Sequence, residues 1–149
     1  KGEEAIKDSG YEFLLLRVSW LCGQYGHNFV KTMLRLGAER DELNVVNDQF
    51  GSPTFADQVV EQTFELLQQN KIGTYHLSSG GMTTWFDCSK EIFKQKGINV
   101  KVNPVSSADF PTKAKRPFFS KLSTQKISNV DGILILDWKA GLQRLLKQL

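Results

Sequence analysis

The apolar positions of the chain follow two periodicities, which predict strands alternating with helices. The run from Phe13 to Val18 is almost wholly apolar between polar neighbours, which is typical of a strand buried on both faces of a parallel sheet. Further strands are predicted at Leu43 to Val46, at Thr74 to Leu77 and around Val100 and Val102. A loop rich in Pro and Lys is expected from Pro104 to Pro117.

Four other segments repeat their apolar residues at helical spacing, and we expect each to bury one face of a helix. Their apolar positions are Phe29, Val30, Met33 and Leu34; Ala56, Val59, Val60, Phe64 and Leu67; Trp85, Cys88, Ile92 and Phe93; and Trp138, Leu142, Leu145, Leu146 and Leu149. Strands and helices alternate without repeats or a linker, so the fold class is α/β.

Two of these helices carry a capping signal just before their first apolar residue. Thr84 is followed three residues later by Asp87, and Thr54 in the same way by Asp57. A Thr followed at this spacing by an acidic residue is typical of a capping box. The Gly80-Gly81 turn before Thr84 could receive an anion at a helix N-terminus, but a tight turn is the better interpretation.

Composition excludes several classes of protein. The 149 residues are 40% hydrophobic and 23% charged, as in a folded domain, and no apolar run approaches the roughly 20 residues of a membrane span. A net charge of +3 is too small to indicate nucleic-acid binding. Cys22 and Cys88 form no metal-ligand spacing, which favours two free thiols in a reducing cytoplasm; one disulfide in an exported protein is the alternative.

The chain begins at Lys1 with no initiating Met and no capping residue, and its first residues are typical of the end of a helix. We therefore expect the sequence to be a fragment. Of its two histidines, His76 lies in a predicted strand, where a hydrogen-bonded structural role is more common than catalysis.

Two polar stretches are candidates for chemistry. In the segment NDQFGSPT, Pro53, Thr54 and Asp57 are explained by capping, whereas Asn47 and Gln49 are not, so these two are predicted to line or brace a site. The basic loop from Pro111 to Pro117 holds three cations between two prolines. Arg116 in this loop could bind a diphosphate with its planar fork, and a solvated basic loop is an equal alternative.

Several motifs, in order and at nearly unbroken spacing, resemble those of the dTDP-4-dehydrorhamnose reductases, a family of extended short-chain dehydrogenase/reductases. They are VSWLCG at 18–23 with NFVKTML at 28–34, DQFGSPT at 48–54, YHLS at 75–78 with TWF at 84–86, and FPTKAKRP at 110–117. Cys22 and His27 depart from the family pattern, in which Tyr and Asn are usual, and this puts fine substrate preference in doubt.

The resemblance implies the C-terminal half of such an enzyme: the last strands of a Rossmann-type sheet and a small substrate-binding lobe, over residues 1–149. It implies reduction of the 4-keto group of dTDP-4-dehydro-L-rhamnose by NADPH or NADH, giving dTDP-L-rhamnose for cell-surface polysaccharide. The glycine-rich cofactor loop is absent, and the catalytic Tyr-x-x-x-Lys pair is expected upstream of Lys1, so the isolated chain is expected to be inactive.

The resemblance also assigns roles to single residues. Trp20, Asn28, Gln49 and Arg116 would bind the dTDP-sugar, although a helix N-cap is an equal interpretation of Asn28. In the same way, Val18 and Ser19 would pass near the nicotinamide. Asp57 would be the protein ligand of Mg²⁺, for which an acidic residue in the first turn of a helix is the stronger alternative.

Two other functions remain open, namely a non-catalytic nucleotide-binding regulatory subunit of the same fold and a reductase or epimerase of another sugar nucleotide. The sequence predicts neither a nucleic-acid nor a membrane partner, and it leaves a homodimer open.

Overall fold

The structure, a computed structural model, describes residues 1–110, 114 and 116–149, and it has the predicted α/β class. Its strands are β1 (Leu14–Val18), β2 (Leu21–Cys22), β3 (Glu42–Val46), β4 (Phe50–Gly51), β5 (Thr54–Phe55), β6 (Gly73–Leu77), β7 (Thr83–Thr84) and β8 (Lys101–Val105). Its helices are α1 (Gly2–Asp8), α2 (Phe29–Glu39), α3 (Ala56–Gln68), α4 (Trp85–Lys96), α5 (Gln125–Ser128) and α6 (Trp138–Leu146).

Two parallel strand pairs form the framework of the fold. β1 pairs with β6, with Leu14 opposite Gly73 and Val18 opposite Leu77, and β3 pairs with β8. Helices lie between the partners of each pair along the chain, as parallel pairing requires. Two shorter pairs connect these elements. The parallel pair β2–β5 joins the segment after β1 to the segment before α3, and the antiparallel pair β4–β7 joins the segment after β3 to the segment before α4.

The apolar residues form two clusters. The larger joins α2, α4 and α6 to β3 and includes Val30, Ile92 and Leu142, each at most 1% exposed. The smaller surrounds Leu66 of α3 and Leu77 of β6, which are both fully buried. α4 contacts α2, α6, β3 and β8, so it is the central helix of the larger cluster, and its first turn has a well-defined position.

The buried face of α3 differs from the predicted one. Three apolar residues were expected to be buried, but large fractions of their surface are exposed: 53% for Val60, 60% for Phe64 and 54% for Leu67. The helix buries Gln58 and Gln62 in their place. Ser79 Oγ donates to Gln58 Oε1, and Gln62 Nε2 donates to the Leu134 carbonyl, so tertiary contacts give each buried amide one partner, although Gln58 Nε2 has none among the described residues.

One predicted cap is confirmed and the other is wrong. Thr84 is the N-cap of α4, and its hydroxyl accepts a hydrogen bond from Asp87 N at 3.1 Å. Thr54 does not cap α3, because that helix begins at Ala56 after the N-cap residue Phe55. Thr54 is a buried residue of β5, where strand pairing with β2 fixes its backbone.

Two further expectations are corrected at the edges of the fold. β1 is half-buried, with Val18 40% exposed, because within the described residues it pairs with β6 alone. The predicted loop begins after Val105, since Pro104 belongs to β8. The sequence pattern did not predict α5.

In the part of the chain that the structure describes, no helix is both long and apolar enough to cross a membrane.

Candidate functional site

A cleft of about 690 Å³ lies beyond the carboxyl ends of β1 and β3. Both helices that border it begin there, since Phe29 is the first residue of α2 and Trp85 the first residue of α4. The aromatic and polar side chains that line the cleft include those of Ser19, Trp20, Phe29, Gln49, Trp85, Phe110, Arg116 and Ser120. Open α/β folds bind ligands at the carboxyl ends of strands, so this cleft is the candidate site.

Trp20 has a rigid, strained position in the cleft. Its φ is +51°, a left-handed conformation that is uncommon for a bulky residue. Its carbonyl accepts from Thr54 N at 3.1 Å, and its indole Nε1 donates to Ser120 Oγ at 3.2 Å. A Cβ added to Gly51 would come within 2.5 Å of the indole, so a glycine is required where the ring packs against β4.

Trp85 stacks directly on Trp20 and belongs to the same wall of the cleft. The two ring centroids are 3.5 Å apart with an interplanar angle of 11°, and Phe29 packs at 4.5 Å from Trp85 in a tilted arrangement. Trp85 Nε1 donates to Gln49 Oε1 at 3.2 Å. Three aromatic rings and one amide therefore form an apolar wall with a polar anchor.

Asn47 and Gln49, the two residues of NDQFGSPT that were predicted to line or brace a site, both form hydrogen bonds with residues at the start of α4. The Thr84 hydroxyl lies 2.8 Å from Asn47 Oδ1, so the segment after β3 holds the cap of α4 as well as the Trp85 ring. Asp48 accepts from Ser107 N at 2.9 Å, and this bond is the main cause that lowers the pKa of the Asp48 carboxyl. The segment thus fixes both the start of α4 and the loop after β8.

Arg116 is exposed and lines the same cleft as Trp20 and Gln49. The segment just after it is anchored to β4, because Phe50 N donates to the Phe118 carbonyl at 2.7 Å and Ser120 N donates to the Phe50 carbonyl at 2.8 Å. The structure therefore brings three of the four predicted substrate residues into one cleft.

Four residues of the basic loop, Pro111, Thr112, Lys113 and Lys115, lie outside the described residues.

The other predicted site residues lie elsewhere or are engaged within the protein. Asn28 is the N-cap of α2, where its side chain accepts from Lys31 N at 3.2 Å and donates to the Gly23 carbonyl at 2.8 Å. Ser19 lines the cleft, but its hydroxyl donates to the Ser120 carbonyl at 3.0 Å. Val18 is the last residue of β1 and is not among the lining residues of the cleft.

Asp57 lies in the first turn of α3 and is half-buried. Over the described ranges, no group of three or more His, Cys, Asp or Glu residues could hold a metal ion. An acidic residue in the first turn of a helix is favoured by the helix dipole, so the position of Asp57 is explained without a metal.

His76 has the structural role that its strand position predicted. Arg17 Nη1 lies 3.3 Å from His76 Nε2, and the Ser123 carbonyl lies 3.1 Å from His76 Nδ1. Since a guanidinium can only donate and a carbonyl can only accept, these partners require Nδ1 to carry the proton and Nε2 to accept. Both ring nitrogens are thereby satisfied.

Both cysteines are buried free thiols, as the cysteine spacing favoured. Burial raises the pKa of Cys22 to about 11, and it raises the pKa of Cys88 above its ordinary value as well. Because the thiolate is the reactive form, neither residue is a nucleophile for the cleft.

Four residues of the cleft were not predicted from the sequence as site residues: Phe29, Trp85, Phe110 and Ser120. A signal for Trp85 was present, because an aromatic residue immediately after a capping Thr lies at the mouth of a helix. Its contact with Gln49 joins residues 36 positions apart, and that pairing could not be read from local pattern.

The sequence matches the family described as the RmlD substrate binding domain over residues 1–149. A dTDP-4-dehydrorhamnose reductase of Shigella flexneri is 40% identical, over 99% of this chain and 53% of that protein. The spore coat polysaccharide biosynthesis protein SpsK of Bacillus subtilis is 33% identical, over 99% of this chain and 51% of its own. The chain thus spans about half the length of the curated relatives it matches.

Solved structures agree with the sequence matches. A dTDP-4-dehydrorhamnose reductase from Bacillus anthracis in complex with NADP has a TM-score of 0.91 at 39% identity, covering 99% of this chain and 52% of that one. An orthologue from Clostridium acetobutylicum has a TM-score of 0.93 at 36% identity, with 98 and 52% covered. A UDP-glucose 4-epimerase of Thermus thermophilus, at 16% identity and a TM-score of 0.75, shares the fold over 98% of this chain and 49% of its own.

Proposed function

The chain belongs to the RmlD substrate binding domain family, and on that premise we propose that it is the substrate-binding part of a dTDP-4-dehydrorhamnose reductase. The protein would reduce the 4-keto group of dTDP-4-dehydro-L-rhamnose to give dTDP-L-rhamnose. We propose that residues 1–149 form the end of the Rossmann-type sheet and the lobe that holds the sugar nucleotide.

The single observation that carries this proposal is that Trp20 and Arg116 line one cleft. An indole offers a flat apolar face that suits the C–H face and methyl group of a deoxysugar. A guanidinium offers parallel N–H donors that suit a diphosphate. An apolar wall and a cation in one cleft therefore match the deoxysugar and the diphosphate of a deoxysugar nucleotide.

The chain's own contribution to the reaction would be positioning. Backbone bonds and Gly51 hold Trp20 in place, so a sugar ring against it would keep a constant orientation. The aromatic wall would exclude water from the reacting carbonyl. The chain holds no glycine-rich phosphate loop, so it would not bind a dinucleotide by itself.

Bound NADPH would supply the hydride to the keto carbon. In this chain, Val18 and Ser19 are the residues that we propose to border the nicotinamide, because they lead from the end of β1 into the cleft. The two residues could only border the nicotinamide, because Val18 is 40% exposed and the Ser19 hydroxyl already donates to the Ser120 carbonyl.

We propose no Mg²⁺ site at Asp57. A reducing cytoplasmic location agrees with the two free thiols.

Calorimetric titration of the chain with dTDP-L-rhamnose and with dTDP-glucose tests the substrate class. We expect the deoxysugar nucleotide to bind at least tenfold more tightly, because the hydroxymethyl group of glucose would place an unpaired hydroxyl against the aromatic wall. Absence of binding, or a preference for dTDP-glucose, would contradict the proposed function.

A further inference from the structure

The stack of Trp85 on Trp20 covers an aromatic face that the proposed sugar would need. The centroids are 3.5 Å apart and the rings are nearly parallel, so no sugar ring fits between them as they stand. Trp20 also packs against Gly51, which is part of β4 and is held in its pairing with β7. Trp85 thus covers one face of the Trp20 indole, while β4 closes the part of the ring that meets Gly51.

The two indoles differ in how firmly they are held. Trp20 is fixed through its carbonyl, its Nε1 and its close packing on Gly51, and its left-handed backbone belongs to a short connection between β1 and β2. The Trp85 backbone is also fixed, because Thr84 caps α4. Trp85 can therefore change its position only by rotation of its side chain.

The Trp85 side chain packs against the larger apolar cluster, and one hydrogen bond and two ring contacts hold it in the closed position. The hydrogen bond joins its Nε1 to Gln49 Oε1 at 3.2 Å, and the ring contacts are with Trp20 and Phe29. A neutral hydrogen bond or an aromatic pair each changes an equilibrium by roughly tenfold or less. A ligand that replaces the stack with its own contact to Trp20 can therefore open it.

We propose that Trp85 is the movable wall of the sugar subsite and that its hydrogen bond to Gln49 holds the wall closed when no sugar is bound. A deoxysugar ring would lie on Trp20 after the Trp85 indole rotates away about its Cα–Cβ bond. Gln49 is then a positioning residue that acts through Trp85. This inference rests on the proposed function of the cleft.

Fluorine NMR of the chain labelled with 5-fluorotryptophan tests the motion. The chain has three tryptophans, and Trp138, which is 5% exposed in the larger apolar cluster, is an internal control. Single Trp→Phe variants assign the three resonances. Saturation with dTDP-L-rhamnose should shift the Trp85 resonance, whereas dTDP, which has no sugar, should leave it in place. The Trp138 resonance should not move with either nucleotide.

Gln49→Leu tests whether the hydrogen bond between Gln49 and Trp85 holds the wall closed. The proposal predicts a gain in relative affinity for the sugar nucleotide, whereas general damage to the site would lower it. Loss of the hydrogen bond favours the open wall, so the ratio of the affinity for dTDP-L-rhamnose to that for dTDP should rise by roughly two- to tenfold. Gln69→Leu is the matched control, because the side chain of Gln69, the C-cap residue of α3, also makes one hydrogen bond, in which its Nε2 donates to the Asp131 carbonyl. That variant should leave the ratio unchanged.

The outcomes separate this inference from the proposed function. If both nucleotides bind but Trp85 keeps its resonance at saturation, or if Gln49→Leu lowers the affinity ratio, the movable wall is wrong and the proposed function stands. If neither nucleotide binds, the proposed function fails and the movable wall fails with it.

Discussion

At the scale of single residues, Trp20 combines a left-handed backbone with a half-buried indole packed on a glycine. A backbone of this kind costs about 1–3 kcal/mol for a residue other than glycine and is found most often at functional sites. Burial in a core would not require it. The strain is explained if the position of the ring matters for a ligand.

Trp20→Ala should weaken binding of dTDP-L-rhamnose by roughly ten- to a hundredfold, which is about 1.4–2.7 kcal/mol, because the variant removes the apolar wall. Trp20→Phe should lose less, since an aromatic face remains and only the bond to Ser120 is lost. Calorimetry gives the affinities, and a thermal melt gives the stability. An unfolded Trp20→Ala variant whose remaining folded fraction binds normally would make Trp20 a packing residue.

Arg116→Ala should weaken binding of the same nucleotide by about 1.5–3 kcal/mol, the range for a hydrogen bond to a charged group. Arg116→Lys should recover only part of the affinity, because lysine lacks the planar fork. Arg40→Ala is the matched control: Arg40 is exposed at the far end of α2 and carries the same charge. If all three variants bind the nucleotide as tightly as the unmodified chain, Arg116 belongs to a solvated basic loop and does not bind the diphosphate.

Asp48 makes the stability of the fold depend on pH. Its hydrogen bonds, chiefly to Ser107 N, lower the pKa of its carboxyl in the folded chain. The stabilisation is therefore full above the unfolded pKa of about 3.9 and is lost as the pH falls through the lower folded value. In urea titrations, Asp48→Asn should flatten the acid-side loss of unfolding free energy. An unchanged slope would show that Asp48 is ionised equally in both states.

At the scale of secondary structure, the start of α4 carries both a cap and a wall of the cleft. Thr84→Ala should lower the unfolding free energy by about 1 kcal/mol, and Thr84→Ser should restore it. Thr63→Ala is the control, because the Thr63 hydroxyl bonds to the Val59 carbonyl inside α3, where such bonds add little. Chemical denaturation measures all three variants, and an equal loss in Thr84→Ala and Thr63→Ala would refute a capping effect.

The comparison of α4 with α3 indicates what local sequence can predict. The spacing of Thr84 and Asp87 predicted the start of α4 correctly, because a cap is a contact between near neighbours. The apolar pattern predicted the wrong buried face for α3, because Gln58 and Gln62 find their hydrogen-bond partners at Ser79 and Leu134. Those partners come from distant segments, and no periodicity encodes them.

At the scale of the whole molecule, the cleft is assembled from segments that are far apart in the chain. Family motifs placed Trp20, Gln49 and Arg116 there from the sequence. They did not identify Trp85 as the partner of Trp20, which requires knowing how the start of α4 packs against the end of β1. The fold class and most elements were predictable, whereas the closed aromatic wall was not.

The proposed function divides substrate binding from cofactor binding. This chain contains the aromatic wall and the arginine of the cleft but no phosphate loop for a dinucleotide. The chain should therefore hold a sugar nucleotide without holding the reductant.

The most direct measurement is a pair of calorimetric titrations of the purified 149-residue chain, one with dTDP-L-rhamnose and one with NADPH. We predict saturable 1:1 binding of dTDP-L-rhamnose and no measurable heat of binding from NADPH. Tight binding of NADPH without binding of dTDP-L-rhamnose would contradict the assignment of the cleft to the sugar nucleotide.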